Sequence, residues 1–218
     1  SLVGSERCIR DRGYHGAIAY APKRGLQSGL SFASVDDGNR YGLQSDTSSV
    51  PLGLAGNAFG VGATLGLMEE EGNLLGGASG GALSASRAQT FFTVLRGHLD
   101  FAKHWSLIGK YTHGLTFADD YEKSLLSNFS QIESNSWGMG LAGRHVFSRG
   151  DQLGFGVSQP LRTIDGDVEV STPYWDPMRA RGGFNSTRTS LVPNGLETNL
   201  EFFYRKPIGK RAQFITYM

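Results

Sequence analysis

The sequence predicts an all-β fold, an antiparallel up-and-down β-barrel of about 10–12 strands. First, large apolar residues alternate with small or polar residues in long runs, which is the period of a β-strand. Second, 31 of the 218 residues are glycine, about twice the usual ~7 % share. Third, the runs are connected by short turns and by long polar loops, with no βαβ alternation between them.

The clearest pair of strands lies at 88–101 and 105–117, around the short turn 102–104. Both runs are longer than the ~5–6 residues of an ordinary strand. One face of the pair carries large apolar residues, namely Phe91, Leu95, Leu99, Phe101, Trp105, Leu107, Tyr111, Leu115 and Phe117. The other face carries polar or charged residues, namely Arg96, His98, Asp100, Ser106, Lys110, Thr112 and Thr116. Two such runs around a short connection predict a β-hairpin.

The same alternation continues along the rest of the chain. Clear runs occupy 59–67, 137–147 and 196–206, and the turns 148–151 and 207–210 lead from the last two into further strands. Weaker strand candidates are 16–21, 28–35, 41–45, 50–55 and 166–172. Long loops are predicted at 70–87, 118–134 and 173–195, and residues 119–133 could hold one short helix.

The stretch "LGFGVSQPLR" at 153–162 shows the pattern in its simplest form. Leu153, Phe155 and Val157 point to one side, and small residues occupy the positions between them. Pro160 has no N–H to donate to a ladder, so a fully paired position inside a strand does not suit it. We therefore expect Pro160 at a strand terminus, a bulge or the rim of the barrel.

The contrast between the two faces favours a barrel of outer-membrane type. Such barrels place apolar residues outward to lipid and small or polar residues inward, with aromatic girdles and alternating short turns and long loops. Closure satisfies every backbone group, which a lipid-exposed sheet requires. The residues expected to line the lumen are Arg96, His98, Asp100, Lys110, Arg144, Glu197, Glu201 and Arg205. A soluble glycine-rich barrel or sandwich is the alternative.

No motif in the chain indicates catalytic chemistry. The net charge of +1 gives no footprint for nucleic acid, and the single cysteine, Cys8, cannot build a disulfide framework or a cysteine zinc site. "GASGG" at 77–81 matches the nucleophile-elbow pattern around Ser79, but it lies in a Gly/Ser loop rather than between a strand and a helix. The five histidines show no metal-binding spacing. We expect no catalytic residue, cofactor or metal.

Two segments resemble a known family. "SWGMGLAGRHVFSRGDQLGFGVSQPLR" at 136–162 resembles a segment of the C-terminal autotransporter-like region of proteobacterial subtilisin-type serine peptidases. The match rests on Phe147, Gly150, Asp151, Leu153, Gly154, Val157 and the run 158–162. A second match, at 190–214, rests on Pro193, Gly195, Glu197, Glu201, Tyr204 and 207–209. The resemblance covers about residues 26–218 and leaves 1–25 as a segment of unclear role.

The resemblance implies an outer-membrane barrel that translocates and anchors a protease passenger, fused to it or cleaved from it. Its partners would be the lipid bilayer, the passenger and the outer-membrane assembly machinery, with no role for nucleic acid. The barrel would not be an enzyme, because any protease triad would lie in the passenger. Two departures put its completeness in doubt: the chain stops at Tyr217 and Met218 rather than on the family's terminal aromatic residue, and fewer strands are apparent. A final strand could therefore be missing.

Two other functions fit the same residues. The first is a β-rich structural or interaction module at the cell surface, without translocation activity, which would use the long loops 70–87 and 173–195. The second is an outer-membrane enzyme or small pore with His98 and Asp100 near its chemistry.

Overall fold

The computed structural model describes residues 12–21, 25–36, 44–74, 77–78, 83, 85–122, 124–208 and 212–217. The fifteen strands in these ranges are β1 Arg12–Tyr20, β2 Leu26–Asp36, β3 Gln44–Ala55, β4 Phe59–Glu71, β5 Asn73–Leu74, β6 Gly77–Ala78, β7 Arg87–Ala102, β8 Trp105–Ala118, β9 Leu126–Ser127, β10 Ile132–Arg144, β11 Gln152–Asp165, β12 Asp167–Asp176, β13 Arg181–Ser190, β14 Asn199–Ile208 and β15 Ala212–Tyr217. The described residues include no α-helix. Cys8 and Ser79 lie outside the described ranges.

Ten of the strands form one antiparallel sheet in the order β1-β2-β3-β4-β7-β8-β10-β11-β14-β15. Apart from the inserted strands β5, β6, β9, β12 and β13, each strand pairs with the next one along the chain, which is the predicted up-and-down order. No ladder joins β1 to β15 among the described residues. The structure therefore establishes an all-β antiparallel meander of ten strands, and it does not show a closed barrel.

Most predicted strands are found close to their expected positions. The hairpin predicted from 88–101 and 105–117 is β7 and β8, with Ala102 paired to Trp105 across the turn. The candidate 50–55 and residues 44–45 of the candidate 41–45 belong to the single strand β3, in which Pro51 pairs with Thr64; residues 41–43 lie outside the described ranges. The family resemblance left residues 1–25 without a role, but the strand candidate 16–21 overlaps β1, which pairs along its whole length with β2.

The prediction that 173–195 is a loop is wrong. Strands Asp167–Asp176 and Arg181–Ser190, of ten residues each, form an antiparallel hairpin. Its base is joined to β9 through Glu169 and Val170, which makes a separate three-stranded sheet. The short helix predicted within 119–133 is also not found, because the described residues of this segment hold β9 instead. Pairing with β12, more than forty positions away, stabilises an extended conformation there.

Pro160 lies in a bulge, as expected. On β10 one residue separates Asn135 from Trp137, whereas on β11 two residues separate their partners Arg162 and Gln159. The extra residue belongs to β11 and lies beside Pro160. The ladder between β11 and β14 has already ended at Ser158. Neither neighbouring strand therefore needs the N–H that proline lacks.

Glycines on one face of the sheet make room for large side chains of the neighbouring strand. The ring of Phe203 lies over Gly154, and the ring of Phe92 lies over Gly66, in each case too close to allow a Cβ. Gly154 and Phe203 are directly paired in the register, as are Gly66 and Phe92. The high glycine content therefore has a packing reason on this face.

Replacing Gly154 by alanine is expected to destabilise the fold by about 1–3 kcal/mol, because the new methyl group overpacks against Phe203. Gly109→Ala is the matched control, since a Cβ there meets nothing within 4 Å. Urea unfolding of the detergent-folded chain measures both effects. Adding Phe203→Leu to Gly154→Ala should recover part of the loss. Equal losses in the two glycine variants would contradict the packing role.

Candidate membrane-embedded face

Large apolar side chains form continuous rows across the sheet. The register aligns one such row over six adjacent strands, through Phe59, Leu99, Leu107, Leu141, Phe155 and Phe202. A second row runs through Leu26, Leu54 and Val61, and resumes at Met139, Val157 and Leu200 after Gly97 and Gly109. We call this side of the sheet the apolar face. These rows arise from the pairing between strands and cannot be seen in any single strand.

The apolar face is largely uncovered. Ile18 is 66 % exposed, Phe59 44 %, Leu95 49 % and Phe155 50 %. A half-exposed side chain of this size leaves roughly 1 kcal/mol of burial unrealised in water. Soluble monomers rarely expose a contiguous apolar surface of this extent, and such surfaces are typical of sites that contact lipid or another protein.

The apolar face has the length of a membrane-spanning β-strand. It reaches from Phe59 to Leu67 on β4 and from Leu99 to Phe91 on β7, nine residues in each case. These stretches measure about 26 Å along the strand, and a tilted strand crosses a bilayer in about 9–11 residues. Charge begins immediately beyond Leu67, at Glu69.

A polar network interrupts the apolar face at the end facing the long loops. His113 Nε2 lies 3.8 Å from Glu133 Oε2. Trp137 Nε1 donates to Gln159 Oε1 at 3.3 Å, and Gln159 Nε2 donates to Asn135 Oδ1 at 2.9 Å. Sequence reasoning missed this network, although the polar residues at these positions break the apolar alternation of β8, β10 and β11.

The opposite side of the sheet, which we call the polar face, carries seven of the eight residues predicted to line a lumen. The pairing of the strands places the following residues on this face: Arg96, His98, Asp100, Lys110, Arg144, Glu201 and Arg205. Glu197 precedes β14 and lies outside the sheet, because the ladder to β11 begins only at Asn199. No salt bridge joins any two of the eight, all of which fall within the described ranges.

The polar face is packed at one end and open at the other. Near the long loops, Ala88, Thr90, Thr116, Ile132 and Ser134 are all less than 5 % exposed. The Thr90 and Thr116 hydroxyls are hydrogen-bonded at 2.8 Å, and a Cβ on Gly166 would meet Ile132 at 3.2 Å. Towards the short turns the charged residues of this face are exposed. The result is a recess that is closed on the long-loop side.

The carboxylate of Asp151 organises the short turn between β10 and β11. Its oxygens accept hydrogen bonds from the backbone N–H groups of Val146 at 2.7 Å, Phe147 at 2.9 Å and Ser148 at 2.7 Å. The Tyr204 hydroxyl donates to it at 3.2 Å. Burial by itself would raise the pKa of Asp151, but these hydrogen bonds outweigh it and lower the pKa below its ordinary value.

The same turn explains why β10 ends earlier than predicted. The expected strand ran to residue 147, but it ends at Arg144. His145 has a φ of 56°, and its Nδ1 accepts a hydrogen bond from Gly150 N–H at 2.7 Å. The backbone therefore leaves the extended conformation at His145, which ends the strand.

The β12–β13 hairpin carries a second exposed apolar patch. Trp175 is 64 % exposed, Phe184 65 % and Met178 96 %. Only the base of this hairpin is paired to another strand, because the ladder with β9 stops at Val170. The outer half of the hairpin therefore stands free of the ten-stranded sheet.

The described residues contain neither a helix long and apolar enough to cross a membrane nor a group of three side chains placed to hold a metal ion. Comparison of the chain with family models, curated proteins and solved structures finds no match.

Proposed function

We propose that the ten-stranded sheet is the membrane-embedded part of an outer-membrane β-barrel that translocates and anchors a passenger. The observation that carries the proposal is the apolar face, whose aligned side chains are exposed over the length of a membrane-spanning strand. In lipid, these exposed apolar side chains are not in contact with water, so their exposure carries no free-energy cost. Closure between β1 and β15 would supply the ladder bonds that the two edge strands need in lipid.

The passenger part of the proposal rests on the resemblance of 136–162 and 190–214 to the autotransporter-like region of subtilisin-type peptidases. The chain would then act with the bilayer and the assembly machinery as its partners, in a bacterial outer membrane, and would carry no catalytic residues of its own. Asp151 and Gly150, which belong to that resemblance, form the turn that joins β10 to β11.

A surface module without translocation activity is the second candidate. The free-standing β12–β13 hairpin favours it, since exposed Trp175 and Phe184 suit contact with another protein. In that case the sheet would still be anchored in the membrane, and only the fate of a fused passenger would differ.

A reporter fused before residue 1, behind a secretion signal, separates the two candidates. If the chain is a translocator, it should resist carbonate extraction from outer membranes, and protease added to intact cells should digest the reporter. A reporter that stays protected in the periplasm, behind an inserted chain, would favour the surface module. Recovery of the chain in the soluble fraction without detergent would refute both membrane readings.

A further inference from the structure

Two cations lie side by side in the middle of the polar face. Arg96 on β7 and Lys110 on β8 are directly opposed in the register, which places their Cβ atoms about 4.5–5.5 Å apart. Like charges at opposed positions repel one another and destabilise a sheet. No carboxylate lies within salt-bridge distance of either residue in the described part of the chain. We call these two residues the cation pair.

The sheet on both sides of the cation pair is bare. The register places Gly62 beside Arg96 and Gly138 beside Lys110. A concavity of about 540 Å³ is lined by Gln27, Gly60, Arg96, His98 and Lys110 among others. A second, of about 310 Å³, lies between Lys110 and Glu201. A ligand on this face would therefore meet both cationic head groups without displacing a side chain.

In the part of the chain that the structure describes, the guanidinium of Arg96 is fixed by one hydrogen bond but keeps donors that are not used. It lies over Gly62, where a Cβ would come within 3.1 Å of its Nε, and it donates to Thr64 Oγ1 at 3.4 Å. A guanidinium has five N–H donors. Among the described residues the remaining donors have no hydrogen-bond partner, and the planar guanidinium suits the two-oxygen geometry of an oxyanion.

The approach to the cation pair is also positive. At the short-turn end of the same face, Arg144 and Arg205 lie on either side of Gln152. Within the paired strands of the polar face these four cations outnumber the carboxylates Asp100 and Glu201 near them. Charge of one sign along a recess attracts ligands of the opposite sign. The packing around Thr116 and Ile132 closes the long-loop end of this face, and the positive charge of Arg144 and Arg205 lies at the opposite end.

We propose that the cation pair is a binding site for an oxyanion group, a phosphate, sulfate or carboxylate. Arg96 binds two of its oxygens and Lys110 provides a point charge beside them. The site rests on the proposed function only in that closure of the sheet turns the polar face into the wall of a vestibule. No bond is made or broken, and the activity is capture of an anion from the side of the short turns.

Calorimetric titration of the full chain, folded in detergent, with sodium tripolyphosphate tests the site at constant ionic strength. A hexaglutamate peptide serves as a second probe, which separates a free phosphate compound from an acidic chain as the source of the oxyanion. We expect saturable binding of at least one probe, weakened roughly tenfold in Arg96→Gln and in Lys110→Gln. The matched control, Lys103→Gln/Arg149→Gln, removes two cations from the short turns and should leave the affinity unchanged.

Binding that is equal in the wild type, the two single variants and the control would overturn the proposal, as would the absence of saturable binding of either probe. Carbonate extraction of the same variants from membranes reports on the proposed function separately. Variants that insert normally and have lost the anion support the site. A chain that inserts but never binds an anion refutes the site alone.

Discussion

Replacing Leu95 by arginine is expected to lower the free energy of unfolding in lipid vesicles by about 2–4 kcal/mol. Leu95 lies midway along the apolar face of β7, four positions from both Phe91 and Leu99. A guanidinium at this depth would be transferred from water into hydrocarbon without a partner. In water the same substitution at a half-exposed residue would cost little or would improve solubility. The size of the loss in unfolding free energy therefore shows whether lipid or water covers the apolar face.

Ile108→Arg is the matched control for this experiment. Leu95 and Ile108 are aliphatic residues on adjacent strands and are 49 % and 48 % exposed, but they lie on opposite faces of the sheet. Urea titration of vesicle-inserted chains, followed by the shift of folded and unfolded bands, compares them. We expect a large loss for Leu95→Arg and a small one for Ile108→Arg. Equal losses, or none, would show that lipid does not cover the apolar face.

Replacing Asp151 by alanine is expected to lower the thermal unfolding midpoint by several degrees, the largest effect of any turn residue. The substitution removes the acceptor of the backbone N–H groups of Val146, Phe147 and Ser148 and of the Tyr204 hydroxyl, and Asp151 itself is fully buried. Asp119→Ala is the control, because Asp119 is exposed and, among the described residues, only its backbone is hydrogen-bonded. An equal decrease of the unfolding midpoint in both variants would show that the Asp151 carboxylate does not stabilise the turn.

The effect of Asp151 should also depend on pH. Its pKa is lower in the folded chain than in the unfolded chain. Its contribution to stability is therefore complete above the unfolded value of about 4 and is lost as the pH falls through the lower, folded value. The gap in unfolding midpoint between the wild type and Asp151→Ala should stay constant above about pH 5 and narrow below pH 4. A gap that widens on acidification would contradict this.

Local alternation was sufficient to predict the meander. The runs at 88–101 and 105–117 could be paired from sequence because their turn is short and both faces are distinct. The division of Arg96, His98, Asp100 and Lys110 from the apolar residues also follows from a period of two. Pro160 could be assigned to an irregular position because the missing N–H is a property of the residue itself.

Long-range pairing determined the features that the sequence did not reveal. The β12–β13 hairpin has little apolar alternation at Ser186, Thr187 and Thr189, and β9 is extended only because β12 lies beside it. The network around Gln159 and the role of Asp151 depend on residues brought together from different strands.

By itself, then, the sequence determined which residues share a face, because alternation along a strand is a local consequence of backbone geometry. The tertiary structure decided which rows those residues join. Register places Arg96 beside Lys110, lays Phe203 over Gly154 and aligns Phe59 with Phe202, five strands further along the large sheet. Shifting one strand by one residue would exchange its two faces, so only the set of pairings over the whole sheet could establish an apolar surface that extends across several strands.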